Sequence, residues 1–232
     1  MAGKGGSRKN GGEGARAGAD ASRLPAGRHG LPREFIARNQ RDRILTAVVD
    51  AVAERGYDAT TIAAITDGAS VSRRTFYEHF SGKEECFLAA FEMIVEHVRR
   101  SMVGAARGED DWPGQVRAAL SSLLGFFASE PELARFTMIA PIAAGGEIGN
   151  RYREAVRSFA AILRAGRPDR SDAGSTAADE ALVGGLVTLI ARQINSGRTE
   201  QLEDLLPDLV DLVLATYPGG SQQPERLAGA AS

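Results

Sequence analysis

Arg73, Arg74 and Tyr77 stand together in the run Ser72-Arg73-Arg74-Thr75-Phe76-Tyr77-Glu78-His79. Two guanidinium groups beside a phenol are chemistry suited to a nucleic acid. At helical spacing Phe76 and Phe80 turn inward, which leaves Arg73, Arg74 and Tyr77 on the open face. Taken singly, the same residues also suit a solvated Arg74–Glu78 pair and plain core aromatics. Their combination with the flanking helices favours the nucleic-acid reading. Catalysis finds little to work with. The three histidines, His29, His79 and His97, lack the spacing of a metal or acid–base motif. The single cysteine, Cys86, allows neither an internal disulfide nor a thiol cluster, and beside Phe87, Leu88 and Phe91 it reads as a small hydrophobe. Neither an enzyme nor a cofactor or metal is expected.

The elements that must position these groups follow from periodicity and caps. Ile44, Val48 and Val52, with Leu45 and Val49 alongside, form one apolar stripe of a helix from about Arg38 to Glu54, which Gly56 stops. Thr60 and Thr61 precede Ile62 and Ile65, where a threonine hydroxyl can cap a second, short helix ending near Gly68. Ser72 is placed to cap the third. Three helices and a tight turn of these lengths are the layout of a helix-turn-helix unit.

From Arg38 to about Phe91 the segment resembles, without a gap, the DNA-binding domain of the tetracycline-repressor (TetR) family of bacterial transcriptional regulators. The resemblance is carried by Thr60-Thr61-Ile62, Val71-Ser72, Thr75-Phe76-Tyr77, Phe80 and Lys83-Glu84-Glu85. Ser70 departs from it, standing where the family has a turn glycine, and Cys86 stands where leucine is usual. The resemblance implies that the third helix enters the major groove, with Arg73, Arg74 and Thr75 at base edges. It implies phosphate contacts for Thr61, Ser72, Tyr77, His79 and Lys83. It further implies a ligand-responsive repressor that binds a palindromic operator as a homodimer and is released by a small apolar effector, although some relatives activate. A helical adaptor of the same fold without DNA binding is the alternative.

Charge distribution agrees with a basic reading head. Up to Lys83 the chain has 14 Lys or Arg against 9 Asp or Glu, and beyond it 14 against 21. The glycine-rich first 32 residues, with Lys4, Arg8, Lys9, Arg16, Arg23 and Arg28, are expected to be a disordered tail that either attracts phosphates or only aids solubility. Residues 33–83 form the head, 84–217 the body and 218–232 a second tail. No apolar run approaches the roughly 20 residues that span a bilayer, nor does a signal peptide stand out, so a cytoplasmic protein without a membrane partner is expected.

The body reads as all-α. Phe87, Phe91, Ile94, Val95, Val98 and Met102 recur at helical spacing, predicting a linking helix from about Lys83 to Ala105. Further helices are predicted over 113–129, 131–139, 150–165, 178–196 and 200–217, with breaks at Pro131, Gly145-Gly146, Pro168 and Gly197. An effector pocket between the linking helix and those after it would draw on Trp112, Phe126, Phe127, Phe136, Met138, Tyr152 and Phe159. The last two helices offer a four-helix dimer surface through Leu182, Leu186, Leu189, Ile190, Leu205, Leu209 and Leu212, unless these are ordinary core.

Overall fold

The computed structural model describes residues 33–166 and 176–217, all of it helix and connecting turn, with no strand among them. The expected tails and the break at Pro168 lie outside the described residues. Helix α1 (Arg33–Arg55) ends where Gly56 takes a positive φ of 80° and its amide donates to the carbonyl of Val52 at 2.8 Å. The Thr60 hydroxyl, 1% exposed, donates back to the carbonyls of Ala51 (3.1 Å) and Gly56 (2.8 Å), closing the loop onto the end of α1. Helices α2 (Ile62–Ala69) and α3 (Arg73–His79) complete the head. Ile44, Val48, Val52, Ile65, Phe76 and Phe80 bury against one another beneath it.

Helix α4 (Lys83–Ala106) leaves the head and runs along α5 (Trp112–Ser129). Asp111 caps α5 by accepting from the Gly114 amide at 2.7 Å, with Pro113 in the first turn, where a missing N–H costs nothing. Helix α6 (Pro131–Met138) matches the predicted helix over 131–139, and a short further helix, α7 (Ala140–Ala144), follows it where none was predicted. Pro141 stands in the first turn of α7, where proline is tolerated, and Gly145 and Gly146, at φ of 62° and 53°, end it. Helix α8 (Gly146–Gly166) begins four residues before the predicted Asn150, and α9 (Thr176–Asn195) ends near Gly197, φ 74°.

The predicted helix over 200–217 is corrected to a 3-10 segment, Thr199–Leu205, followed by α10 (Leu206–Thr216). Pro207 accounts for the change: without an N–H it cannot continue the helical ladder from Glu203, but it is well suited to open a new helix. One core cluster runs through the described residues, joining Phe76 of the head to Phe87, Phe136, Leu124 and Leu209 of the body. At the far end, buried Asp179 of α9 accepts from the Arg164 guanidinium of α8 and from the Tyr217 hydroxyl just beyond α10.

Candidate nucleic-acid interface and effector cavity

Two caps set the reading helix. Thr61 accepts from the Ala64 amide at 3.2 Å to start α2, and Ser72 accepts from the Thr75 amide at 3.0 Å to start α3. Between them Ser70 lies in the left-handed region (φ 52°, ψ 47°), and its amide donates to the Asp67 carbonyl at 3.1 Å. The Val71 amide donates to the Thr66 carbonyl at 3.0 Å, so the turn is closed in the manner usually served by glycine. Serine accepts this conformation at some strain.

On α3, Phe76 is fully buried, and its ring stands edge-on to Tyr77 at 5.5 Å between centroids. Tyr77 is 56% exposed and projects from the open face. Arg73 is exposed without a hydrogen bond or ion pair, whereas Arg74 pairs with Glu78 at 3.1 Å. Thr75 is half-buried, its hydroxyl 3.0 Å from that of Ser72. His79 is half-buried beside Phe80. The α3 surface thus gathers Arg73, Arg74, Thr75, Ser72 and Tyr77, with Thr61 exposed at the start of α2.

Lys83 differs from the others. Its ammonium donates to the Tyr57 carbonyl at 2.8 Å and lies 4.2 Å from the centre of the Tyr57 ring, so it latches the first turn of α4 to the loop after α1. The family resemblance implies only a phosphate role for it. Glu85 completes this junction by accepting from the Ser81 amide (2.7 Å) and hydroxyl (2.6 Å), bonds that hold its carboxyl below the usual range, the hydroxyl contributing most.

A second site lies in the body. An apolar cavity of about 220 Å³ lies between α4, α5, α8 and α9, with Thr137, Met138 and Val213 also in its wall. Of the seven large side chains expected to line a pocket, Trp112, Phe127, Met138 and Phe159 do so. Phe126, Phe136 and Tyr152 do not. Phe136 is instead fully buried against Phe87, 4.4 Å between ring centroids, and Phe126 meets the His97 ring at 5.2 Å. Tyr152 is half-buried on α8, where burial pushes its phenol up to about 12. The wall also uses Val95, Val98, Met102, Leu120 and Leu123, aliphatic positions that periodicity cannot separate from ordinary core. His97, Arg135 and Asn150 are exposed and do not orient anything in it.

The expected dimer residues divide. Leu182, Leu186, Ile190 and Leu209 are buried within the subunit, and Leu186 and Ile190 face the cavity, so none is available to a partner. Leu189 and Leu205 are half-buried, and Leu212 is 39% exposed. The first group faces inward because α9 packs against α8, α6 and the 3-10 segment, and α10 against α5 and the 3-10 segment.

Comparison with known proteins agrees with this geometry. The profile of bacterial regulatory proteins of the tetR family matches residues 44–90. The chain is 32% identical over 102 residues to the HTH-type transcriptional activator FasR of Mycolicibacterium smegmatis, covering 44% of this chain and 45% of that one. The match therefore spans less than half the length of that relative. The fold is similar to the fatty acid degradation regulator FadR from Bacillus halodurans, at TM-score 0.68 and 18% identity over 79% of this chain and 96% of that one. It is also similar to FadR from Bacillus subtilis in complex with stearoyl-CoA, at TM-score 0.66 and 17% identity over 75% and 98%. With the capped reading helix on the α1–α2 platform and a helical body behind it, residues 44–90 carry the DNA-binding domain of the tetR family of bacterial regulatory proteins, and the described chain shares the fold of the regulators compared.

Proposed function

We propose that the protein is a cytoplasmic, DNA-binding transcriptional regulator, without catalytic activity, that reads a palindromic operator as a homodimer. The observation that carries this reading is the open face of α3, where unpaired Arg73 stands beside exposed Tyr77 above a sealed core of Phe76 and Phe80. Arg73 and Arg74 read base edges with Thr75, while Thr61, Ser72, Tyr77 and His79 hold phosphates and fix register. Lys83 donates to the carbonyls of Tyr57 (2.8 Å) and Asp58 (3.5 Å), which leaves one ammonium proton for a phosphate at the edge of the groove. Leu189, Leu205 and Leu212 supply apolar surface for a partner copy.

The cavity is the effector site of this reading, and α6 is the element that connects it to the head. Thr137 and Met138 form part of the cavity wall, and the preceding Phe136 packs on Phe87 of α4. Phe87 in turn meets the ring of Tyr57 edge-on at 5.3 Å, beneath the Lys83 latch. A small, largely apolar effector that prefers one arrangement of α6 and α4 shifts the population of head positions and so releases the operator. The sign of regulation follows from which arrangement matches the operator.

Selection of bound duplexes from a random library by the purified protein tests the reading. An inverted repeat is expected from the unaltered chain. Arg73→Ala is expected to relax one or two base pairs, each worth about 1–3 kcal/mol of discrimination. Recovery of no motif at low salt would leave the adaptor reading in its place.

A further inference from the structure

Glu78 is the residue of α3 that the fold has least reason to hold. It stands in the last turn of Arg73–His79, where the helix dipole favours a cation and disfavours a carboxylate. Its partner Arg74 lies four residues earlier, the reverse of the order that best supports an acid–base pair along a helix. The Arg74 and Glu78 side chains are 89% and 56% exposed, so solvent screens the pair. Phe76 and Phe80, not Glu78, seal the core beneath. A local rule broken without a structural gain is expected where a residue serves function.

Placement on the helix says which function. At about 100° per residue, Arg74 and Glu78 lie roughly 160° to either side of buried Phe76. They straddle the direction that points straight away from the core and into a groove that α3 enters. Arg73, Thr75 and Tyr77 stand nearer the flanks, at about 60–100° from Phe76.

Major-groove chemistry decides what a carboxylate can meet there. It accepts hydrogen bonds and donates none. Guanine presents two acceptors and thymine one, adenine sets an acceptor beside its donor, and cytosine presents its N4 amine alone. The phosphates flanking the groove repel a carboxylate as well. Once Arg74 turns to a base, Glu78 loses the partner it has in the free protein and needs another donor.

We propose that Glu78 reads cytosine, accepting from its N4 amine, and filters out duplexes that lack this base. The inference rests on the DNA-binding reading above and adds a specificity residue to it. Along α3 Glu78 stands about 6 Å from Arg74, close to two base-pair steps of about 3.4 Å. Its cytosine therefore falls one or two pairs from the base that Arg74 reads. Repulsion by phosphate lowers affinity for every duplex, and a site offering the amine regains it.

Selection from a random duplex library by the full-length protein and by its Glu78→Gln and Glu78→Ala variants tests this. The unaltered protein should return an inverted repeat with a fixed cytosine in each half-site. Changing that cytosine to thymine should weaken binding roughly tenfold, as expected for one hydrogen bond to a charged group. Glu78→Gln presents an amide that pairs with adenine N6 and N7, so the preference should move from cytosine to adenine. Glu78→Ala should leave the position open. Both variants should bind an unrelated duplex severalfold more tightly than the parent, with melting temperature unchanged or raised.

An identical motif from all three proteins overturns the proposal and leaves the regulator reading intact. So does tighter binding of unrelated DNA without a change of base preference, which makes Glu78 a repulsive charge only. Relaxation confined to the position that Arg74→Ala relaxes also overturns it, since Glu78 would then act only by holding Arg74. No motif from any of the three proteins removes the regulator reading and this inference with it.

Discussion

Arg73 and Arg74 are adjacent, yet the structure holds them differently. Arg74 must leave Glu78 to reach a base, but an exposed i,i+4 pair is worth only about 0.3–0.5 kcal/mol, so this restrains it little. Arg74→Ala is therefore expected to weaken operator binding as Arg73→Ala does, and competition binding against single-base operator variants will show which position each relaxes. Ser70 carries the opposite kind of cost. Left-handed backbone disfavours a residue with a Cβ by about 1–2 kcal/mol, against about 0.5–1 kcal/mol of added unfolded-chain freedom for glycine. Ser70→Gly is thus expected to stabilise the head by about 0.5–1 kcal/mol, seen as a rise in melting temperature with operator affinity unchanged. Thr61 and Ser72 were readable as caps in the sequence because each partner lies three residues away. The Lys83 latch was not, since its acceptor lies 26 residues earlier and only the fold brings the two together.

Among the elements, α6 carries the most consequence for its length of eight residues. Phe136→Leu keeps most of the buried volume and is expected to cost under about 1.5 kcal/mol. By loosening the contact with Phe87, it should leave operator binding near its normal level while reducing the change that effector produces, measured as the ratio of operator affinities with and without ligand. The seam between α6 and α1 has its own pH dependence. Burial first, and Glu132 across the seam second, raise the Asp50 carboxyl above its ordinary value. Because the folded value is raised, ionised Asp50 weakens the fold at neutral pH, and the penalty is relieved as pH falls through that value. Asp50→Asn should accordingly raise stability to urea at pH 7, with the difference from the parent shrinking at pH 4. Most helices of the body were legible from apolar period alone. The short helix α7 and the 3-10 segment before Pro207 were not, because tertiary packing, rather than local pattern, decides which of several permitted turns is used.

For the molecule as a whole, one thiol can report unfolding. Burial among the aromatic rings at the start of α4 pushes the Cys86 thiol up to about 12, so almost no thiolate exists near neutrality. Reaction with a disulfide reagent at pH 8 is expected to be negligible for the native protein and rapid in denaturant, and its midpoint should match that from circular dichroism. The fold class and the head were legible over the described residues, but the cavity only in part. Leu186 and Leu189 have the same chemistry and lie in the same helix, yet only packing makes one a cavity wall and leaves the other half-open. The latch at Lys83 also has a mechanical meaning. Helix α4 is 24 residues long, about 36 Å at 1.5 Å per residue, and its first turn is fastened to the head, so the two move as a single rigid arm. A tilt of about 5° imposed beside the cavity would sweep the head through roughly 3 Å, by the length of that arm. Ångström-scale repacking around a ligand would thereby be geared up into a displacement comparable to the rise of one base pair.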